Sequence, residues 1–124
     1  MGDICQLSCE CGYSIDLYVG VGLASSKLNT LRRVFSEEKR KDFEKYYNNN
    51  EVESFYITFK PSFCEKCKEI MTVAVLKVRL TNNRELEIVK NCSACNSKVQ
   101  ILHDSYKCPK CNKELHEELI GVWD

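Results

Sequence analysis

Alternating apolar and polar residues predict that most of this chain forms β-strands. In a half-buried strand every second side chain is apolar, and Ile15, Leu17 and Val19 follow that period. The stretches that favour strands are residues 13–19, 52–60, 71–80, 85–90, 98–103 and 114–123. Pro61 is expected to end the second of them, because proline cannot donate a hydrogen bond to a neighbouring strand. A turn over residues 81–84 predicts a hairpin between the third and fourth.

One segment has a helical pattern instead. Residues 37–48 begin after Ser36, a good N-cap, and carry two glutamates in the first turn, where the helix dipole favours acids. The apolar stripe of this helix consists of Phe43, Tyr46 and Tyr47. Residues 25–34 fit either a short helix or a loop. The pattern therefore predicts a small α+β protein, an antiparallel sheet that carries one or two helices.

Cysteine is the residue type that changes this picture most. The 124 residues include nine cysteines, and eight of them form close pairs. The pairs are Cys9-x-Cys11, Cys64-x-x-Cys67, Cys92-x-x-Cys95 and Cys108-x-x-Cys111, with Cys5 left over. The first residues lack the basic and apolar regions of a secretory signal, so we expect a cytoplasmic protein with reduced thiols. Closely spaced thiols in a reducing compartment favour metal binding over disulfides.

Two residues between cysteines allow a tight turn, a zinc knuckle, that directs both sulfur atoms at one ion. The residue after the second cysteine often has a left-handed conformation, which Gly or Asn adopts most easily. Gly12, Asn96 and Asn112 occupy this position in three pairs, whereas Lys68 occupies it in the fourth. Two such pairs complete a tetrahedral zinc site.

The last two pairs are separated by only twelve residues (96–107), which is enough for a short hairpin. Residues 88–122, with Cys92-Ser93-Ala94-Cys95 and Cys108-Pro109-Lys110-Cys111, resemble the zinc-ribbon superfamily. The resemblance implies a rubredoxin-type pair of knuckles around one zinc ion, held by Cys92, Cys95, Cys108 and Cys111. The superfamily spans many activities, so it indicates little about function.

A second zinc site is predicted from the cysteines that remain. Cys9 and Cys11 are expected to join Cys64 and Cys67, which would make residues 12–63 an insertion closed by metal. The Cys9-x-Cys11 pair is one residue short of a usual knuckle, and Cys5 could replace either of its members. The predicted organisation is a zinc-stabilised α+β region over residues 1–90, pinned by metal, followed by a zinc ribbon over 91–124. Both sites are expected to hold Zn²⁺, with iron as the alternative that four thiolates also accept.

Charge and composition narrow the functional classes. Lys and Arg number 18 and so do Asp and Glu, so no net field selects nucleic acid or a membrane surface, and no membrane span is predicted. Because all-thiolate zinc sites leave no position for substrate, we expect a protein-interaction or adaptor module rather than an enzyme. The oligomeric state stays open.

Two alternatives remain from the sequence. The first is a nucleic-acid-binding zinc-ribbon protein, in which basic residues near the second knuckle contact the backbone and interleaved aromatics stack on bases. The candidate basic residues are Lys60, Lys66, Lys68, Lys77 and Arg79, and the aromatics are Tyr56, Phe59 and Phe63. The second is a metal or thiol-redox sensor that uses the irregular N-terminal cysteine site.

Overall fold

A computed structural model describes residues 2–22, 24–103 and 105–124 of the chain. It consists of seven strands and two helices, so strands predominate, as the sequence pattern predicts. The elements are β1 (Gly2–Ser8), β2 (Ser14–Gly20), α1 (Leu28–Val34), α2 (Glu37–Asn48), β3 (Val52–Cys64), β4 (Glu69–Leu80), β5 (Glu85–Val89), β6 (Gln100–Ile101) and β7 (His116–Trp123).

The strands form one antiparallel sheet of seven members, in the order β5-β4-β3-β2-β1-β7, with β6 beside β3. Together with the two helices this confirms the small α+β class. A single residue pair, Gly20 with Phe59, joins β2 to β3, so the sheet has two sections with little pairing between them. One section is β7-β1-β2 and the other is β3-β4-β5.

The helices cover one face of the β3-β4-β5 section. Ser36 caps α2 as predicted, since its hydroxyl accepts a hydrogen bond from the Lys39 backbone N–H. Phe43 is fully buried and packs edge-on against Phe55 of β3, with ring centroids 5.2 Å apart. Residues 25–34, which fitted either a helix or a loop, contain α1, and its Leu31 is also fully buried. This core is completed by alternate residues of β3, β4 and β5.

A second, smaller core lies between the two sections of the sheet. Leu7, Leu17, Ile70 and Leu115 are its buried aliphatic side chains, and the buried thiol of Cys108 packs with them. The core that joins the β7-β1-β2 section to β4 therefore includes Cys108, one member of the Cys108-x-x-Cys111 pair.

The predicted end of a strand at Pro61 is wrong. β3 continues through Pro61 to Cys64, and Pro61 pairs with Thr72 of β4. The Pro61 carbonyl accepts from the Leu102 N–H at 2.9 Å, and a strand residue directs its N–H and C=O toward the same neighbour. The N–H that Pro61 lacks would therefore have pointed toward β6 and not toward β4, so its absence costs no hydrogen bond between β3 and β4.

β7 connects the end of the chain to its beginning. It pairs with β1 from Gly2 to Ser8, so strands from both predicted regions, 1–90 and 91–124, share one sheet. The Trp123 indole Nε1–H donates to the carbonyls of Asp3, at 3.1 Å, and Val19, at 3.0 Å. A side-chain carbon at Gly2 would overlap this indole, so the close approach depends on glycine.

Among the described residues, no helix combines the length and apolar character required to cross a bilayer.

Candidate metal centres

Eight of the nine cysteines come together in two groups of four. Within each group the sulfur atoms lie no more than 4.8 Å from one another. We call the first group the terminal cluster and the second the central cluster. The terminal cluster consists of Cys9, Cys11, Cys108 and Cys111, and the central cluster of Cys64, Cys67, Cys92 and Cys95.

The structure corrects the predicted partners. The sequence grouped the two N-terminal pairs with each other (Cys9, Cys11, Cys64 and Cys67) and the two C-terminal pairs with each other (Cys92, Cys95, Cys108 and Cys111). In the structure each N-terminal pair instead joins a C-terminal pair. The four cysteines of the predicted ribbon over 91–124 therefore belong to two different clusters. The partners are set by strand pairing rather than by distance along the chain.

Strands β1, β2 and β7 build the terminal cluster. Cys9 and Cys11 lie in the β1–β2 turn, where the Cys9 N–H donates to the Tyr13 carbonyl at 2.9 Å. Ser8 at the end of β1 pairs with His116 at the start of β7, so the knuckle that precedes β7 lies beside this turn. The Sγ–Sγ distances are 3.3 Å between Cys9 and Cys111 and 3.6 Å between Cys11 and Cys108.

Strands β3, β4 and β5 build the central cluster. Cys64 ends β3 and pairs with Glu69 of β4, which makes a knuckle of the β3–β4 turn. Beyond β5 the chain continues alongside β4, with the Lys90 N–H donating to the Ala74 carbonyl at 3.0 Å. The knuckle formed by Cys92 and Cys95 therefore lies at the same end of the β3–β4 hairpin as the knuckle formed by Cys64 and Cys67. Cys95 Sγ is 3.5 Å from Cys64 Sγ, and Cys92 Sγ is 3.9 Å from Cys67 Sγ.

All four turns share the expected knuckle geometry. The residue after the second cysteine has a positive φ in each: 99° at Gly12, 57° at Lys68, 59° at Asn96 and 64° at Asn112. Its N–H donates to the carbonyl of the first cysteine at 2.8 to 3.0 Å. Lys68 thus adopts the left-handed conformation despite its side chain, and the shortened Cys9-x-Cys11 pair forms the same closing hydrogen bond as the other three.

The donor set fits a tetrahedral metal ion. Four thiolates at about 2.3 Å from one ion would lie about 3.8 Å from each other, close to the observed sulfur separations. Backbone N–H groups also point at the sulfurs, from Cys67 to Cys64 and from Lys110 to Cys108, both at 3.4 Å. Such hydrogen bonds stabilise thiolate charge, and thiolate is the form that binds metal.

The pKa values of two thiols in the central cluster shift in opposite directions. Hydrogen bonds from Ser97 lower the pKa of Cys95 to about 6. The hydrogen bond that Cys67 makes with Cys95 helps to raise the pKa of Cys67 to about 12. A divalent ion held by these four cysteines would favour the deprotonated form of all of them, because its positive charge stabilises thiolates.

The two clusters differ in their access to solvent. In the central cluster Cys64 and Cys92 are buried and the other two cysteines are half-buried. In the terminal cluster only Cys108 is buried, while Cys11 and Cys111 are exposed. The terminal cluster is therefore the more open of the two.

Cys5 does not belong to either cluster. It lies in the middle of β1, opposite Leu17 of β2 and Leu119 of β7, whereas Cys9 and Cys11 both contribute to the terminal cluster. Desolvation, followed by the nearby charges of Glu117 and Asp3, raises the pKa of its thiol. The alternative in which Cys5 replaces Cys9 or Cys11 as a ligand is therefore wrong.

The basic residues considered for nucleic-acid contact are only partly brought together. Strand register places Lys60, Lys77 and Arg79 with Tyr56 on the face of the β3-β4-β5 section opposite the helices. Acids of β5 neutralise two of them: Lys77 pairs with Glu87, and Arg79 lies 3.6 Å from Glu85. Lys66 and Lys68 lie separately, in the β3–β4 knuckle.

The aromatic residues considered with them do not form one surface. Tyr56 is exposed, but Phe59 packs on the helical core and Phe63 on the smaller core. A shared stacking platform of Tyr56, Phe59 and Phe63 is therefore not formed.

Comparisons with protein-family models, with curated proteins and with solved structures give no match to this chain. Its function has to be argued from the two cysteine clusters and the surfaces around them.

Proposed function

We propose that this chain is a structural zinc protein, with one Zn²⁺ in each cluster, that acts as a protein-interaction module rather than an enzyme. The observation that carries the proposal is the composition of the two clusters, four cysteines in each. Four thiolates complete the tetrahedron of zinc, so water or substrate has no coordination position. Catalytic zinc sites keep such a position open.

The position of the clusters supports a structural role. Each cluster lies where strand ends meet: the terminal cluster beside β1, β2 and β7, and the central cluster beside β3 and β4. A chain of this size gains limited stability from apolar burial, and metal links between distant segments contribute folding free energy directly. The zinc ions would hold a sheet in shape for contacts made elsewhere on its surface.

Metal content is the first test. Native mass spectrometry of the chain purified without added chelator should give two zinc ions per molecule, and the protein should be colourless, since iron in four thiolates absorbs visible light. Removal of both ions should unfold the sheet, as followed by circular dichroism. One ion per chain, or an unchanged spectrum after removal, would contradict the structural role.

The interaction role needs a separate test. The zinc-loaded chain should bind a purified protein partner after nuclease treatment, and the complex should survive physiological salt. Partners first found by cross-linking in cells have to be reconstituted from purified components before they count. Binding that disappears with nuclease and falls steeply with salt would support nucleic-acid binding instead, because phosphate contacts release counterions.

A further inference from the structure

The outer edge of β7 is the most exposed apolar feature among the described residues. Leu119, Ile120 and Val122 are 63%, 46% and 58% exposed. On one side β7 pairs with β1, and it is the last strand in the sheet order, so its other side has no strand partner within the described part of the chain. Exposed apolar residues on an unpaired strand edge favour the addition of another strand.

The opposite edge of the sheet has a different character. β5 carries Glu85 and Glu87, both of which pair with basic residues of β4. Charged side chains are one of the common means by which an edge strand avoids association. β7 also carries two glutamates, Glu117 and Glu118, but neither forms an ion pair with another described residue, so their charges remain available to a basic partner.

The section that contains β7 has a uniform charge. Strands β1, β2 and β7 contain no lysine or arginine. Their four acidic residues are Asp3, Asp16, Glu117 and Glu118. A segment that pairs with β7 would therefore meet apolar and acidic side chains but no positive charge from these strands.

The register of β7 defines where these side chains lie. Glu117, Leu119 and Val122 stand opposite Leu7, Cys5 and Asp3, which share one face of β1, whereas Glu118 stands opposite Gln6 on the other face. Ile120 has no partner in β1 because the register shifts there. An added strand would offer apolar residues to Leu119 and Val122 and basic residues to the glutamates.

We propose that the free edge of β7 binds an extended segment of a partner protein that places apolar residues opposite Leu119 and Val122 and lysine or arginine opposite Glu117 and Glu118. The inference rests on the proposed interaction function and assigns that function a surface and a partner chemistry. Charge favours such a partner over a second copy of this chain, because pairing two β7 strands would join two acidic sections in one sheet. Backbone hydrogen bonds along β7 would supply affinity, and the side chains would supply specificity.

The test is selection of ligands from a random octapeptide display library on the zinc-loaded full chain. We expect enriched peptides to combine apolar residues with two neighbouring lysine or arginine residues, which would face Glu117 and Glu118. Their affinity, measured by fluorescence polarisation, should fall at least about tenfold for Leu119→Lys and for Val122→Lys. Tyr56→Lys is the matched control, since Tyr56 is 42% exposed on the β3-β4-β5 section, and it should leave the affinity unchanged. Hydrogen exchange should slow at the β7 amides when peptide is added.

Three outcomes would overturn the assignment of the β7 edge. They also show whether the interaction function fails with it or survives on another surface. Peptides that bind equally to Leu119→Lys and the parent would leave an interaction module whose surface lies elsewhere. A dimer of the free chain that Leu119→Lys dissociates would assign the edge to a second copy. If no peptide is enriched and no purified protein binds, both the edge and the interaction function fail.

Discussion

Cys9 Sγ lies 3.3 Å from Cys111 Sγ, although 102 positions separate the two residues in the chain. Besides Cys11, the sulfur neighbours of Cys9 thus come from the other end of the sequence and not from the nearer Cys64 and Cys67 pair. This relationship follows from the pairing of β1 with β7, because Cys9 comes directly after β1 and Cys111 precedes β7.

Metal stoichiometry distinguishes this grouping from the one that spacing suggests. Replacing Cys64, Cys67, Cys92 and Cys95 by serine should leave one zinc ion per chain, since only the central cluster is destroyed. Replacing Cys9, Cys11, Cys64 and Cys67 should leave none, because each cluster loses half of its ligands. Native mass spectrometry counts the ions, and the reverse result would restore the grouping by spacing.

Loss of the two metals should be sequential. The terminal cluster has two exposed cysteines and the central cluster has none, so a chelator should reach the terminal ion first. We expect biphasic release to a chromophoric chelator, with rates about tenfold or more apart, since the surrounding shell controls solvent access. Serine variants that lack the terminal cluster should lose only the fast phase. A single phase in the parent chain would contradict the difference in access.

Lys68 offers a stabilising substitution. A lysine with φ of 57° carries a steric cost that asparagine and glycine largely avoid. Lys68→Asn should raise the free energy of unfolding of the zinc-loaded chain by about 1 kcal/mol in a denaturant titration. Lys66→Asn removes the same charge from the same turn at a residue without a positive φ, so it should have little effect. Equal effects of the two would indicate charge rather than backbone conformation.

The Trp123 indole should stabilise the junction of β1, β2 and β7. Trp123→Phe removes the Nε1–H that bonds the carbonyls of Asp3 and Val19, and we expect a loss of about 1–2 kcal/mol in unfolding free energy. The measurement needs circular dichroism, because Trp123 is the only tryptophan. Tyr18→Phe alters the neighbouring exposed ring without removing these bonds and should be nearly neutral. Equal losses would contradict the role of the indole hydrogen bonds.

Local structure was largely predictable from the sequence. The helix over 37–48, its cap at Ser36 and the hairpin of β4 and β5 follow from period, capping and turn residues, and the structure contains all three. The eight cysteines that form the two clusters were also identified by spacing. Pro61 was misjudged because its effect depends on which neighbour its missing N–H would face, and a single strand's sequence does not define that neighbour.

The partners of the cysteine pairs could not be predicted in the same way. The short separation along the chain favours a site that contains both Cys95 and Cys108. However, the entropy cost of closing a loop grows only with the logarithm of its length. Bringing Cys11 to Cys108 instead costs about 2 kcal/mol more, which the seven-residue pairing of β1 with β7 readily offsets. The informative signal was the strand at 114–123, whose partner strand determines where the preceding knuckle lies. Sequence pattern predicts that strand but does not identify its partner.

The connectivity of the clusters has a consequence for synthesis of the chain. The central cluster uses residues 64 to 95, and both of its knuckles lie between the two halves of the terminal cluster, so the sites are nested like brackets. During translation the inner site can close once Cys95 has left the ribosome, while Cys9 and Cys11 wait with free thiols until Cys111 emerges. If each cluster holds zinc, the central site would be able to load first, and the terminal site could be completed only after the knuckle that precedes β7 has been synthesised.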